Sequence, residues 1–144
     1  MSLDIRSLSI RNQLPGTVTG VTEGAVMATV KVHLGGGQEV TAAITLEAAR
    51  ELGVAEGVAV RALIKSTEIS LATGPVTGLS IRNRLPGTVT AVTTGGAMAG
   101  VKVDVEGAEL TAAITKESAA ELGLAAGSSV VALIKSTEVS LATV

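Results

Sequence analysis

The chain states itself twice. The block Ser9-Ile10-Arg11-Asn12-Gln13-Leu14-Pro15-Gly16-Thr17-Val18-Thr19 returns 71 positions later as Ser80-Ile81-Arg82-Asn83-Arg84-Leu85-Pro86-Gly87-Thr88-Val89-Thr90. Ala62-Leu63-Ile64-Lys65-Ser66-Thr67-Glu68 returns 70 positions later as Ala132-Leu133-Ile134-Lys135-Ser136-Thr137-Glu138. One residue has gone between the two blocks, where Gly35-Gly36-Gly37-Gln38-Glu39 faces the shorter Glu106-Gly107-Ala108-Glu109. A loss in a turn keeps strand register on either side. The period is too long for a solenoid unit, and two copies are fewer than an open array needs. The duplication predicts two small, similar domains in tandem, 7–73 and 78–144, with a Gly- and Pro-bearing linker at 74–78.

Neither copy contains Phe, Tyr or Trp, although aromatic side chains normally supply much of the buried area of a small domain. The core must be built from Val, Ile, Leu and Ala. A domain of about 65 residues buries only about 60% of its unfolded surface and is marginal alone, and without cysteine no disulfide can brace it. Copies that share cores, and chains that oligomerise, are the expected remedies.

Within the first copy, Ser9 to Thr22 is rich in Thr, Val and Ile, interrupted by Leu14-Pro15-Gly16, and reads as one long bent strand or two short ones. Val30, Val32 and Leu34 then alternate with Thr29, Lys31 and His33, the period of a half-buried strand. Three glycines turn the chain, and Val40, Ala42 and Ile44 alternate again. Thr45 is a credible N-cap for the helix-forming run Leu46 to Leu52, with Gly53 as its stop. Val58 to Lys65 alternates, and Glu68 to Ala72 closes the unit. The second copy repeats the order, with Thr115 capping Lys116 to Leu122. The fold class expected is mainly β: two tandem OB-like five-stranded barrels, each with one short helix between its third and fourth strands. The pattern leaves open whether each copy closes its own barrel or exchanges a strand with the other.

The polar groups that recur are mostly donors: Ser9, Arg11, Asn12, Lys65 and Ser66, matched by Ser80, Arg82, Asn83, Lys135 and Ser136. Guanidinium and ammonium groups give charge-assisted hydrogen bonds, and hydroxyls and amides complete a shell around an oxyanion. Thr45 and Thr115 add hydroxyls at helix starts, where unpaired N–H groups favour negative charge. Such parts suit a small tetrahedral dianion. A handful of bonds at roughly 1.5 to 3 kcal/mol each could offset desolvation and give micromolar or tighter binding. The plainer reading is that Arg and Asn solvate a loop, the lysines lie on exposed strand faces and the threonines are simple caps.

Other chemistry finds little to work with. One His and no Cys leave a cation site short of ligands, and His33, which becomes Asp104 in the second copy, reads as a solvated side chain. No catalytic base has a partner that recurs in both copies, so an enzyme is not expected. Met1-Ser2-Leu3-Asp4-Ile5-Arg6 lacks the pattern of a signal peptide. Despite a mean hydropathy of +0.53, no apolar run approaches the roughly 18 residues of a membrane helix. The chain is expected to be soluble and intracellular, with no membrane partner.

The ordered set of Ser-Ile-Arg-Asn-Gln-Leu-Pro-Gly, the Gly-Gly-Gly hairpin, Thr-Ala-Ala-Ile-Thr before the helix, Glu-Leu-Gly at its end and Ala-Leu-Ile-Lys-Ser afterwards resembles the Mop or molbindin family, in its tandem-repeat form. The match covers about 7–73 and again 78–144. The resemblance implies a cytoplasmic protein of OB-like domains that binds molybdate, and tungstate as its analogue, at the subunit interfaces of a homo-oligomer, a trimer for a two-repeat chain, with no metal cation. It places the family's Ser-x-Arg-Asn segment on Ser9, Arg11 and Asn12 and on Ser80, Arg82 and Asn83. Its Lys-Ser segment falls on Lys65-Ser66 and Lys135-Ser136, and its Thr before the helix on Thr45 and Thr115. Related sites also use a hydroxyl three residues after that Thr, where this chain has Ala48 and Ser118, so the two classes of site are expected to differ in affinity. The helical DNA-binding domain of molybdate-responsive regulators and the ATPase domain of transporters have no counterpart in this sequence. A free-standing role in molybdenum storage, buffering or homeostasis is the expectation.

Two other classes share the fold expectation. A nucleic-acid-binding OB domain is weakened by the absence of aromatic side chains for base stacking and by a net charge of −2. A purely structural interaction module would melt at a temperature indifferent to oxyanions. Sulfate, with the same charge and shape but a smaller ion, is the chemical competitor any real site must reject.

Overall fold

The computed structural model describes residues 7–143. Met1 to Arg6, on which the signal-peptide reading rests, and Val144 lie outside the described residues. The first repeat contributes β1 (Asn12–Glu23), β2 (Met27–Leu34), β3 (Glu39–Thr45), α1 (Leu46–Leu52), β4 (Ala59–Ile64), a 3-10 turn at Ser66–Glu68 and β5 (Ser70–Ala72). The second contributes β6 (Asn83–Thr94), β7 (Met98–Val105), β8 (Ala108–Thr115), α2 (Lys116–Glu121), β9 (Ser129–Ile134), a 3-10 turn at Ser136–Glu138 and β10 (Val139–Thr143). The fold is mainly β, with each short helix between third and fourth strands as the pattern predicts.

Alternation places the side chains. Along β2, Ala28, Val30, Val32 and Leu34 are buried while Met27, Thr29, Lys31 and His33 are exposed. Ser9 to Arg11 precede the strand rather than open it, and β1 is one continuous strand. It is bent by a bulge at Thr19, between the pairs Val18↔Val32 and Gly20↔Lys31, and β6 has the same device at Thr90. An extra residue on one strand raises the local twist, which helps each sheet to curl.

The strand order settles what periodicity leaves open. The sheets run β10-β4-β1-β2-β3 and β5-β9-β6-β7-β8. The fifth strand of each sheet therefore comes from the other repeat. After Ile64 the 3-10 turn Ser66–Glu68 packs against β8, and after Ile134 the turn Ser136–Glu138 packs against β3. Ile69 and Val139, 2% and 1% exposed, enter one apolar cluster that runs through both repeats from Val30 and Val32 to Val101 and Val103. Two aromatic-free units thus reach a workable core by merging.

The missing residue lies in the hairpin loop. In the first repeat Leu34 N–H donates to Gln38 O at 2.8 Å across Gly35-Gly36-Gly37, with Gly37 at φ 104°. In the second, Val105 pairs with Ala108 across two residues only, Glu106 and Gly107, at φ 51° and 89°. Positive φ at both positions is the signature of a type I′ turn, whose twist matches the flanking strands. The two loops touch: a Cβ on Gly36 would lie 1.9 Å from the carbonyl oxygen of Glu106. Backbone cannot retreat as a flexible side chain can, so Gly36→Ala is expected to cost about 1 to 3 kcal/mol, the range for overpacking. Chemical denaturation would show the loss as a lower midpoint with an unchanged slope.

Candidate functional site

Each repeated donor set is brought together by one ladder. Asn12 pairs with Ile64 where β1 meets β4, so the residues just before β1 lie beside those just after β4. Asn83 and Ile134 do the same for β6 and β9. Ser9, Arg11, Lys65 and Ser66 consequently line one cleft of about 230 Å³, together with Ile10 and Thr67. Ser80, Arg82, Lys135 and Ser136 occupy the same register positions in the second repeat. Among the described residues, Arg11, Lys65, Arg82 and Lys135 have no carboxylate within ion-pair distance; the pairs present are Arg50–Glu23 at 3.5 Å and Lys102–Glu109 at 3.7 Å.

The two serines after the lysines stand out. Ser66 Oγ and Ser136 Oγ are buried and have no hydrogen-bond partner among the described residues. A buried hydroxyl left unpaired costs about 1 to 3 kcal/mol. The same atom lacks a partner at equivalent positions of both repeats, so an external group could satisfy it there.

The asparagines carry a second role. Asn12, 2% exposed, donates through Nδ2 to Ile64 O at 3.0 Å and to Thr111 O at 2.9 Å, while its Oδ1 accepts from Thr111 N–H at 2.7 Å. Asn83, 3% exposed, closes the reciprocal pair on Thr41, accepting at 2.8 Å and donating at 2.9 Å. Both side chains mimic a strand and splice β1 to β8 and β6 to β3. Their amides are clamps between repeats, and both Nδ2 hydrogens of Asn12 are committed to Ile64 O and Thr111 O.

Thr45 and Thr115 are N-caps, accepting from Ala48 N–H and Ser118 N–H, each at 3.1 Å. A hydroxyl that accepts still has its own hydrogen to give. In the second repeat Thr115 gives it to Ser118 Oγ at 2.8 Å, which shifts the free donor to Ser118. Thr115 and Ser118 line a cleft of about 430 Å³ with Thr67 and Ser70 of the first repeat. Thr67 borders this cleft and the smaller one. The threonine expected to serve one donor set therefore stands on the other repeat, an outcome of strand exchange. Ser118 was named through the family resemblance, whereas Thr67 was not singled out as a donor, although it carried a signal, since it recurs as Thr137.

Fold and site together define a class: a strand-exchanged tandem of small curled β-sheets whose repeats each present two cations and a buried serine hydroxyl without partners among the described residues. The TOBE domain profile matches residues 8–71 and again 79–141. The chain belongs to the TOBE domain family, as a tandem pair of Mop-type repeats. It is 46% identical over 143 residues to the molybdenum-pterin-binding protein MopA of Rhodobacter capsulatus, a match covering 98% of this chain and 54% of MopA. It thus spans about half the length of that relative. The molybdenum-pterin-binding protein 1 of Clostridium pasteurianum is 43% identical over 65 residues, 45% of this chain and 96% of that protein. Among solved structures, the cytoplasmic molybdate-binding protein ModG, in a form with molybdate bound, superposes with a TM-score of 0.93 at 43% identity, covering 96% of this chain and 99% of ModG.

Proposed function

We propose that this chain binds molybdate, with tungstate as an alternative ligand, and serves as a cytoplasmic store or buffer of the oxyanion. The observation that carries the reading is the pair of hydroxyls, Ser66 Oγ and Ser136 Oγ, buried without a partner among the described residues, the first in a cleft with Lys65 and Arg11, which have no carboxylate partner among those residues, and the second at the equivalent position of the other repeat. Two cations neutralise a dianion, and the hydroxyls and neighbouring N–H groups satisfy its oxygens. The working donor set is Ser9, Arg11, Lys65 and Ser66 in repeat 7–73 and Ser80, Arg82, Lys135 and Ser136 in repeat 78–144, with Thr45, Thr115 and Ser118 at the edges. The similarity to MopA and to molybdate-bound ModG supports the choice of ion. No metal cation and no chemical transformation enter this reading.

The donors are open to solvent in a single chain, with Ser9, Arg11, Thr45, Lys65 and Thr115 all exposed. Large apolar residues lie exposed nearby: Leu8 and Leu79 immediately precede Ser9 and Ser80, and Met98 borders the Thr115 cleft. A homotrimer whose subunits cover these patches would also enclose the anions at the interfaces. Enclosure is where selection against the smaller sulfate would arise, because a dry cavity sized for a larger ion leaves sulfate's oxygens short of donors.

The test is thermal melting with molybdate, tungstate, sulfate and phosphate in parallel. At 100 times Kd a single site adds about 2.7 kcal/mol, or roughly 5 to 10 °C for a domain of this size. Molybdate and tungstate are expected to raise Tm by at least that amount, and the Arg11→Ala/Arg82→Ala variant is expected to lose the shift. Indifference of the parent protein to all four anions would reject the reading.

A further inference from the structure

Within the repeated block 9–19 and 80–90 the two copies differ at one residue, Gln13 in the first and Arg84 in the second. Arg84 sits on β6 beside the entrance of the linker. Its Nε donates to Ile81 O at 3.1 Å, Nη1 to Val76 O at 3.3 Å, and Nη2 to Leu79 O. One guanidinium thus gathers three carbonyls from a stretch with no regular structure, just where the chain turns at Gly78 with φ 73°. Gln13 also reaches back, donating to Ile10 O at 2.8 Å, but an amide has two N–H donors where a guanidinium has five in a fixed fork.

The consequence follows from the peptide plane. In a trans peptide the carbonyl of one residue and the N–H of the next point in opposite directions. Drawing Leu79 O and Ile81 O onto Arg84 turns the N–H groups of Ser80 and Arg82 away from the guanidinium. Ser80 and Arg82 are the two residues that bring a hydroxyl and a cation to the second donor set. We propose that Arg84 is the positioning residue of the second oxyanion site, holding the Ser80 and Arg82 backbone so that their N–H groups and side chains face the ligand. The proposal rests on the oxyanion reading above. It makes the linker between the repeats part of the second site.

The test separates position from charge. In an Arg11→Ala background, which leaves the second site, calorimetric titration with molybdate is expected to show Kd at least tenfold weaker for Arg84→Gln. Arg84→Lys keeps the charge but cannot span three carbonyls, and is expected to lose nearly as much. In an Arg82→Ala background, which leaves the first site, Arg84→Gln is expected to move Kd less than twofold. Without ligand, backbone 15N order parameters at 77–82 are expected to fall from about 0.85 to below about 0.6 in Arg84→Gln, with 9–13 unaltered. Full molybdate affinity in Arg84→Lys, equal losses at both sites, or unaltered order parameters at 77–82 would each overturn the assignment. A parent protein that binds no molybdate would overturn the oxyanion reading instead, and the order parameters at 77–82 would still decide whether Arg84 orders this segment.

Discussion

A chain ending at Glu138 is expected to lose its cooperative unfolding transition. The deletion removes the whole of β10, which pairs with β4 of the first repeat from Val139↔Ile64 to Thr143↔Val60. Val139 is 1% exposed and belongs to the common core, and Leu141 packs against it. Full burial of one such side chain is worth about 1.5 to 3 kcal/mol, so the two together represent a large share of the 5 to 15 kcal/mol by which a domain is stable. The loss would not stay local. Losing β10 exposes the apolar β4 as a new edge, open to pairing with other chains, and because the core is shared, the second repeat loses its support as well. Calorimetry and light scattering are the measurements. A truncated chain that melts cooperatively within a few degrees of the parent and stays monodisperse would show that each repeat is self-sufficient, against the strand order seen here.

Asn12→Ala is expected to destabilise the protein by about 2 to 4 kcal/mol, and Asn83→Ala by a similar amount, since leaving buried backbone groups unpaired is among the costly outcomes of a single substitution. Removing the Asn12 amide strands Thr111 N–H, Thr111 O and Ile64 O at once. Asn12→Asp would retain the acceptor for Thr111 N–H while setting a negative charge against two carbonyl oxygens, and is expected to be at least as damaging. Urea unfolding of the single variants measures the cost. If either alanine variant lost less than about 0.5 kcal/mol, the range of ordinary surface substitutions, the clamp would carry no weight and the asparagines would be free to be reconsidered as ligands. The position has a functional corollary, because Asn12 directly follows Arg11: the clamp that joins the repeats also fixes where that guanidinium stands.

The contrast between Asn12 and Arg11 shows how the site was legible only in part. Both recur in the second repeat and both offer donors, so their types and spacing recommended them equally. What separates them is burial: Asn12 lies inside the ladder, committed to Thr111 ninety-nine residues away, while Arg11 stays exposed beside Lys65. Ser66 was named as a candidate donor from its repetition, yet that its hydroxyl is buried without a partner among the described residues depends on everything packed around it.

Local pattern by itself determined the duplication, the strands and helices, the caps at Thr45 and Thr115, and the turn that absorbs the one lost residue, because periodicity, capping and turn chemistry act over a few neighbouring residues. The tertiary structure alone decided which repeat owns each fifth strand, why the Asn pair serves as a clamp, and that Thr115 shares a cleft with Thr67 of the opposite repeat. Ile69-Ser70-Leu71-Ala72 and Val139-Ser140-Leu141-Ala142 are nearly the same strand, and either sheet edge would accept either one. The choice between them is made by where the 3-10 turns send the chain and by the apolar area gained when two small cores become one.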